Sequence, residues 1–145
     1  MDYHVKLEAA LKRSMQMGAD LACFGDIDIE GNRRWSEERC RNAGIEPVFP
    51  LWNAGREDNV RELLSLGYEC LIKSINNTLL PKSLLGKIID EQTVSVMKKA
   101  GIDICGENGE YHTLTTDGPI FKEPILLKTG RILDFGDYSV IDVTV

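Results

Sequence analysis

The chain repeats one arrangement of apolar and polar positions four times: an amphipathic stretch that is followed by a glycine. In the clearer stretches, apolar side chains recur every three or four positions, which places them on one face of an α-helix. A glycine after such a stretch readily adopts the left-handed conformation that ends many helices. The pattern therefore predicts four helices, which end at Gly18, Gly44, Gly67 and Gly101.

Short apolar runs follow three of these glycines, at residues 21–24, 46–51 and 68–75. Each run is short enough to be a buried strand, and strands that alternate with helices indicate right-handed crossovers and a parallel sheet. All three runs are therefore expected to belong to one parallel sheet.

The C-terminal part of the chain has a different pattern. Strand-like runs occupy residues 125–128, 131–135 and 140–145, and turn residues separate them at 129–130 and 136–137. Such closely spaced runs are typical of antiparallel strands. The whole pattern predicts an α/β fold, in which a partial parallel, Rossmann-like sheet with flanking helices precedes a small C-terminal lobe with antiparallel strands.

A break between the two patterns falls near Asn76 to Pro81, where two asparagines and a proline interrupt the regular elements. The break predicts two domains, residues 1–76 and residues 77–145.

Polar or glycine-rich segments follow the predicted strands, at residues 25–28, 52–53 and 76–77, and a fourth such segment is residues 106–110. In open parallel sheets, ligands bind beyond the carboxyl ends of the strands. We therefore expect the four segments to lie along one edge of the molecule and to form a ligand site.

The segment Gly106-Glu107-Asn108-Gly109-Glu110 has two interpretations. Its glycines permit positive φ angles and close approach to a ligand, while Glu107 and Glu110 could bind Mg²⁺ or accept protons. Alternatively, Asn-Gly forms a hairpin turn with solvated glutamates, and the spacing alone favours this interpretation. His112 follows in a strand-like run beside a leucine, where a packed histidine is more common than a catalytic one.

Two further groups of residues leave alternatives open. Arg33 and Arg34 lie at the start of a predicted helix, where they could bind a nucleotide or carboxylate, or pair with Glu37 and Glu38 one helical turn away. Trp52 could stack on a base or cover a core, and the core role is the more common one.

The composition excludes several functional classes. A net charge of −6 over 145 residues and a pI near 4.9 argue against a broad nucleic-acid-binding surface. The sequence has no long apolar segment and no signal-peptide pattern, so we expect a cytoplasmic protein without membrane association. Four scattered cysteines and two histidines offer no plausible zinc site. The sequence also lacks a phosphate-binding loop motif and a Gly-x-Gly-x-x-Gly motif.

Several segments resemble the signatures of one family, the diphthine-ammonia ligase-like family of ATP pyrophosphatases. Residues 105–121, together with 85–87 and 101–103 before them, resemble its C-terminal signature. Phe24-Gly25-Asp26-Ile27, Arg34-Trp35, Glu37, Cys40, Gly44 and Pro50-Leu51-Trp52 resemble its middle signature. The resemblance covers residues 20 to 125.

The resemblance implies a fold and a set of site residues. Residues 1–76 would be the C-terminal part of an adenine nucleotide alpha hydrolase-like domain, and residues 77–145 a smaller substrate-binding lobe. Glu107 and Glu110 would be catalytic. The residues at the nucleotide or acyl substrate would be Gly25, Asp26 and Ile27. The substrate-binding residues would be Gly106, Asn108, Gly109, Tyr111, His112, Thr113, Arg34 and Trp52.

The resemblance also implies a chemistry. Enzymes of this family use ATP and Mg²⁺ to convert a carboxylate to an acyl-adenylate, release pyrophosphate, and let ammonia attack to give an amide. In archaea and eukaryotes, the acyl group is diphthine on elongation factor 2. The family's Ser-Gly-Gly-Lys-Asp-Ser loop, which grips the pyrophosphate, is not found in this sequence.

We therefore expect this chain to be the substrate-binding portion of such an enzyme, and to associate with itself or with a partner that supplies the N-terminal half. The alternative is a non-catalytic nucleotide- or ligand-binding or assembly module that lost the phosphate loop.

Overall fold

The computed structural model describes residues 2–145, which divide into two compact units: the first ends at Gly55 and the second spans Arg56–Val145. The first contains a two-stranded parallel sheet with helices, and the second a four-stranded antiparallel sheet with helices. The predicted fold class is confirmed. The predicted domain boundary between residues 76 and 77 lies inside the second unit. No helix within residues 2–145 is both long and apolar enough to span a membrane.

The first unit alternates helices and short strands. Its two strands pair in parallel, with Ala22 opposite Pro47. Its core contains Ala22, Cys40 and Ile45, and the partly buried side chains of Leu11 and Ala43, from the two helices, pack against them. The second helix ends at Gly44, which has a φ angle of 86° and donates its N–H to the Cys40 carbonyl, as predicted for a glycine C-terminus. The elements are α1 Tyr3–Gln16, β1 Leu21–Cys23, α2 Glu30–Ala43 and β2 Glu46–Val48.

The second unit is built around a four-stranded antiparallel sheet. Its strands are β3 Glu69–Asn76, β4 Tyr111–Asp117, β5 Lys128–Asp134 and β6 Tyr138–Thr144, in the order β4-β3-β6-β5. Its core includes the completely buried side chains of Ile72, Ile75 and Met97. A short 3₁₀ helix, Lys82–Leu84, follows the first strand. Its α-helices are α3 Arg56–Ser65 and α4 Glu91–Lys99.

The expectation that residues 68–75 form a third parallel strand is wrong. This run is β3, which pairs antiparallel with β4 and β6, so that Ile75 lies opposite both Tyr111 and Ser139. Its consecutive side chains Cys70, Leu71 and Ile72 are all buried. A run buried on both faces has no polar alternation, and such a run is most typical of parallel sheets. The apolar pattern alone therefore misassigned the partners of this strand.

The predicted turn at residues 129–130 is also wrong, because both residues lie inside β5, beside an irregularity between Thr129 and Ile132. Glycine within a strand often marks such an irregularity, and residues 125–127 are not part of a strand. The turn predicted at 136–137 is confirmed, since it connects β5 to β6.

Candidate functional site

The loop between α4 and β4 contains the Gly-Glu-Asn-Gly-Glu segment. The hairpin interpretation of its Asn-Gly step is wrong, because the loop joins a helix to a strand and β4 pairs with β3. Gly106 and Gly109 have φ angles of 76° and 83°, as the other interpretation predicted. Their N–H groups donate to the carbonyls of Asp103 and Gly106, each at 3.1 Å. The loop is therefore two successive tight turns that require glycine.

Asp103 holds the start of this loop. Its Oδ1 accepts the Cys105 N–H at 3.0 Å, and its Oδ2 accepts the Glu107 N–H at 3.2 Å. The Arg56 Nη1, at the start of α3, lies 2.5 Å from the same Oδ2. Sequence reasoning assigned Asp103 no role. The signal that could have found it is an aspartate two residues before a turn, since such side chains accept backbone N–H groups.

Glu110 turns its carboxylate into the loop. Its Oε2 accepts the Asn108 N–H at 3.0 Å, and its Oε1 accepts the Asn108 side-chain amide at 3.2 Å. The residue is only 5% exposed, and its backbone carbonyl accepts the Asn76 N–H at 2.9 Å. A buried carboxylate requires such donors. Each oxygen retains a lone pair that could accept a further hydrogen bond.

Tyr111 packs directly beneath Gly106. Its hydroxyl donates to the Ile104 carbonyl at 2.5 Å, and a Cβ at Gly106 would lie 3.0 Å from its ring. Burial raises the pKa of the Tyr111 phenol, and the neighbouring negative groups Cys105 and Asp103 raise this pKa further. Tyr111 therefore stays protonated and supports the loop from below.

His112 and Thr113 follow on β4 and are exposed. Since β4 lies at one edge of the sheet, their side chains remain accessible to a ligand.

Within each unit, two of the four polar segments adjoin each other. In the second unit, the Asn76 N–H donates to the Glu110 carbonyl, so segments 76–77 and 106–110 adjoin. In the first unit, the Asn53 N–H donates to the Ile27 carbonyl at 2.7 Å, so the segments after β1 and β2 also adjoin. Asn53 has a φ angle of 63°, a conformation that is uncommon away from glycine and is found at many ligand sites.

The first unit contains a cleft of about 590 Å³ beyond the carboxyl end of β1; we call it the aromatic cleft. Asp26 lies in it and accepts a hydrogen bond from the Ser36 hydroxyl at 3.2 Å. Gly25 also lines it and is exposed, whereas Ile27 is buried in the unit's interior. The side chains that form its walls include Tyr3, Leu7, Phe24, Asp26, Trp35 and Ser36.

Arg33, Arg34 and Trp52 have distinct surroundings. The Arg33 guanidinium lies 4.6 Å from the centre of the Trp52 ring, and its Nε donates to Glu37 at 2.9 Å, one of the pairs that the spacing predicted. The expected partner of Arg34 was Glu38, but Arg34 pairs with Glu30 on an exposed helix face. Trp52 thus packs against an arginine within its own unit.

Residues 2–145 contain no group of three or more His, Cys, Asp or Glu side chains arranged to hold a metal ion. The four cysteines form no disulfide bonds.

Comparison with known proteins supports one family. Residues 55–144 match the diphthamide synthase C-terminal domain, and this range differs from the second compact unit, Arg56–Val145, by one residue at each end. Human diphthine-ammonia ligase is 33% identical over 123 residues, which cover 82% of this chain and 43% of that protein. The rat protein of the same name is 35% identical over 99 residues, covering 66% of this chain and 37% of that protein.

The protein of the same name from Schizosaccharomyces pombe is 28% identical over 135 residues, which cover 90% of this chain and 22% of that protein. The chain thus spans less than half the length of these relatives.

Proposed function

Because the chain belongs to the diphthamide synthase C-terminal domain family, we propose that it is the substrate-binding portion of an ATP-dependent amidating enzyme. The substrate carboxylate attacks the α-phosphorus of ATP, which gives an acyl-adenylate and pyrophosphate. Ammonia then attacks the acyl carbon, expels AMP and loses a proton, and the product is an amide. Diphthine on a protein such as elongation factor 2 is the proposed acyl substrate, by analogy with the names of the relatives.

The observation that carries this proposal is the preorganised loop 103–110. Two positive-φ glycines, the Asp103 carboxylate and the Tyr111 ring hold it in one conformation. Such rigidity suits a site that must position a nucleophile and an acyl carbon within reacting distance. An ordinary connection between a helix and a strand does not need a buried carboxylate at its end.

Within this loop we assign different roles to the two glutamates. Glu107 is the proposed acceptor of the proton that ammonia loses, because its side chain is only partly buried. Glu110 is proposed to contact the substrate through its remaining lone pairs while it holds Asn108. The backbone of the glycines allows the substrate to approach closely, and His112 and Thr113 would extend the contact surface along β4.

ATP enters the proposal through the family and through the first unit, where Gly25 and Asp26 would approach the nucleotide or the acyl substrate. A loop that grips the triphosphate is proposed to come from a polypeptide segment outside these 145 residues, in the same protein, a second copy or a partner. Mg²⁺ would accompany the nucleotide, since its main task in such reactions is to neutralise phosphate charge.

A second candidate function is a non-catalytic nucleotide- or ligand-binding module. The observation that favours it is that both oxygens of Glu110 are already engaged by Asn108 within the loop. In this case the glutamate would stabilise the fold and would not take part in a reaction.

The two candidates differ in an amidation assay. The chain is mixed with diphthine-bearing elongation factor 2, ATP, Mg²⁺ and ammonium, with and without a human relative from which the matching segment has been deleted. AMP, pyrophosphate and the mass of the modified peptide are measured. We expect amide formation in the complemented mixture, a reduction of about 100-fold in Glu107→Gln, and no change in the exposed control Glu123→Gln.

Turnover at background in both mixtures, or turnover that Glu107→Gln leaves unchanged, would contradict the catalytic proposal. Nucleotide binding without turnover would favour the binding module.

A further inference from the structure

We propose that the turn between β5 and β6, residues 134–138, is a docking surface for a basic region of the protein that carries the acyl group. This turn, which we call the hairpin turn, lies at the same end of the antiparallel sheet as loop 103–110. Its position, its exposed aromatic side chains and its acidic surroundings all point to such a partner. The partner class rests on the proposed function, which places the acyl group on a protein.

The hairpin turn adjoins the candidate site through β3, which lies between β4 and β6. At the carboxyl end of β3, the Asn76 N–H donates to the Glu110 carbonyl at 2.9 Å. The Asn77 N–H donates to the Asp137 carbonyl at 2.8 Å. Neighbouring strands lie about 4.8 Å apart, so the backbones of the turn and the loop are about 10 Å apart. A protein interface of ordinary size, about 800 Å² on each partner, is wide enough to cover both.

Hydrogen bonds fix the backbone of the hairpin turn. The Asn77 side-chain amide donates to the Gly136 carbonyl at 2.6 Å, and the Gly136 N–H donates to the Asp134 carboxylate at 3.0 Å. The Phe135 N–H donates to the Tyr138 carbonyl at 2.8 Å. The turn has therefore lost most of its backbone entropy on folding, so that a partner does not have to order it on binding.

This fixed turn exposes two aromatic side chains. Phe135 is 68% exposed and Tyr138 is 45% exposed. A single exposed apolar side chain is ordinary on a protein surface. Two aromatic rings on a preorganised backbone beside a candidate site are more informative, because aromatic side chains are enriched in protein–protein interfaces and supply much of their binding energy. We expect Phe135 to contribute more than Tyr138, because more of its surface is available for burial.

The charges around the turn select a basic partner. Three segments meet at this end of the sheet, residues 76–77, 106–110 and 134–138, and together they contain four acidic side chains and no Lys or Arg. Lys82 pairs with one of the four, Asp134, and Asp137 is exposed on the turn itself. An acidic surface accelerates association with a basic one. Arginine and lysine side chains also bind to the faces of aromatic rings, so one basic region can contact both the acids and the rings.

The test measures binding by calorimetry between the full chain and the diphthine-bearing elongation factor 2 of the amidation assay, without ATP or ammonium. Phe135→Ser should weaken binding about tenfold or more, whereas Phe135→Tyr keeps an aromatic ring and should retain the affinity within about threefold. The matched control is Leu66→Ser, which should leave the affinity unchanged. Leu66 is 51% exposed and precedes β3, at the opposite end of that strand.

Asp137→Asn tests the charge of the partner. This substitution removes one negative charge and keeps the backbone carbonyl that accepts the Asn77 N–H. It should slow association about threefold at low salt, and the difference should shrink as salt is added, because salt screens exposed charges. Stopped-flow mixing measures the rate. Glu123→Gln is the matched control, since Glu123 is exposed and lies outside the three segments.

No binding by the wild-type chain, equal loss in Phe135→Ser and Leu66→Ser, or an association rate that neither Asp137→Asn nor salt changes would overturn the inference. A wild-type dimer that Phe135→Ser converts to monomers on a sizing column would also overturn it, because the turn would then join two copies of this chain.

The two proposals can fail separately. Binding that follows the expected pattern supports the docking surface even if the amidation assay gives only background turnover. Amide formation with the same KM for the wild-type chain and for Phe135→Ser would overturn the docking surface and leave the proposed function standing.

Discussion

Alanine at Gly106 tests whether the site loop is held rigidly by the ring beneath it. Gly106 has a φ angle of 76°, and a Cβ there would lie 3.0, 3.2 and 3.3 Å from three atoms of the Tyr111 ring. The ring cannot move freely, because its hydroxyl is bonded to Ile104 and the residue is 6% exposed. Gly109 is the matched control: its φ angle is 83°, and nothing lies within 4 Å of its Cβ position.

The expected magnitudes follow from this comparison. Both substitutions place alanine in the left-handed region, at about 1–2 kcal/mol each, and both lower the entropy of the unfolded chain equally, which cancels in their difference. Gly106→Ala adds an overpacking cost of about 1–3 kcal/mol against Tyr111. We therefore expect Gly106→Ala to destabilise the second unit by at least about 1 kcal/mol more than Gly109→Ala.

The assay must report the second unit. Both tryptophans, Trp35 and Trp52, lie in the first unit, so their fluorescence does not. Hydrogen exchange of the buried β3 amides of Ile72 and Ile75 in increasing urea measures the free energy of opening directly. A double-mutant cycle with Tyr111→Leu then isolates the contact, since the shorter side chain should remove most of the extra cost.

Equal destabilisation by Gly106→Ala and Gly109→Ala, or a coupling energy of zero in the cycle, would refute the reasoning. Either result would mean that the Tyr111 ring moves aside freely and that the loop is not preorganised by it.

Two further predictions concern the same loop. Arg56→Met and Asp103→Asn should each destabilise the second unit by about 1–3 kcal/mol, and a urea-unfolding cycle should give a coupling energy near 1 kcal/mol; strictly additive effects would contradict the ion pair. The pKa of Tyr111 is raised in the folded state, whereas the pKa of an unfolded tyrosine is about 10. Because the unfolded state ionises first, the contribution of Tyr111 to the free energy of unfolding should be constant below about pH 10 and should fall as the pH rises above it. Tyr111→Phe should reduce this alkaline loss in urea unfolding at pH 9 to 11, and an unchanged loss would contradict the assignment.

The helices and their ends were predictable because they depend on local interactions. The four glycines predicted to end helices all have positive φ angles: Gly18, Gly44, Gly67 and Gly101. The apolar face of a helix is set by residues three or four positions apart, and its C-terminus is set by a glycine, which has no Cβ. Both features can therefore be recognised from a few consecutive residues of the sequence.

The partners of the strands were less predictable. The parallel pair β1 and β2 was correctly anticipated, whereas β3 was assigned to the wrong sheet. Pairing depends on residues far along the chain, and a continuous apolar run has no feature that distinguishes a parallel from an antiparallel neighbour.

The candidate site also has features that depend on local sequence and features that depend on distant residues. The residue types in Gly106-Glu107-Asn108-Gly109-Glu110 and the resemblance to a family were enough to locate a candidate loop. The inward direction of Glu110, the three hydrogen bonds or ion pairs of Asp103 and the hydrogen bond from Ser36 to Asp26 were not evident from spacing.

By itself, the sequence determined where the helices end, that the fold is α/β and which short segments carry polar chemistry. Only the tertiary structure decided how the strands pair, and which carboxylates are buried or paired. The physical reason is one of range: backbone conformation and amphipathic periodicity arise between neighbours, whereas desolvation and ion pairing depend on which distant segments meet around a charge.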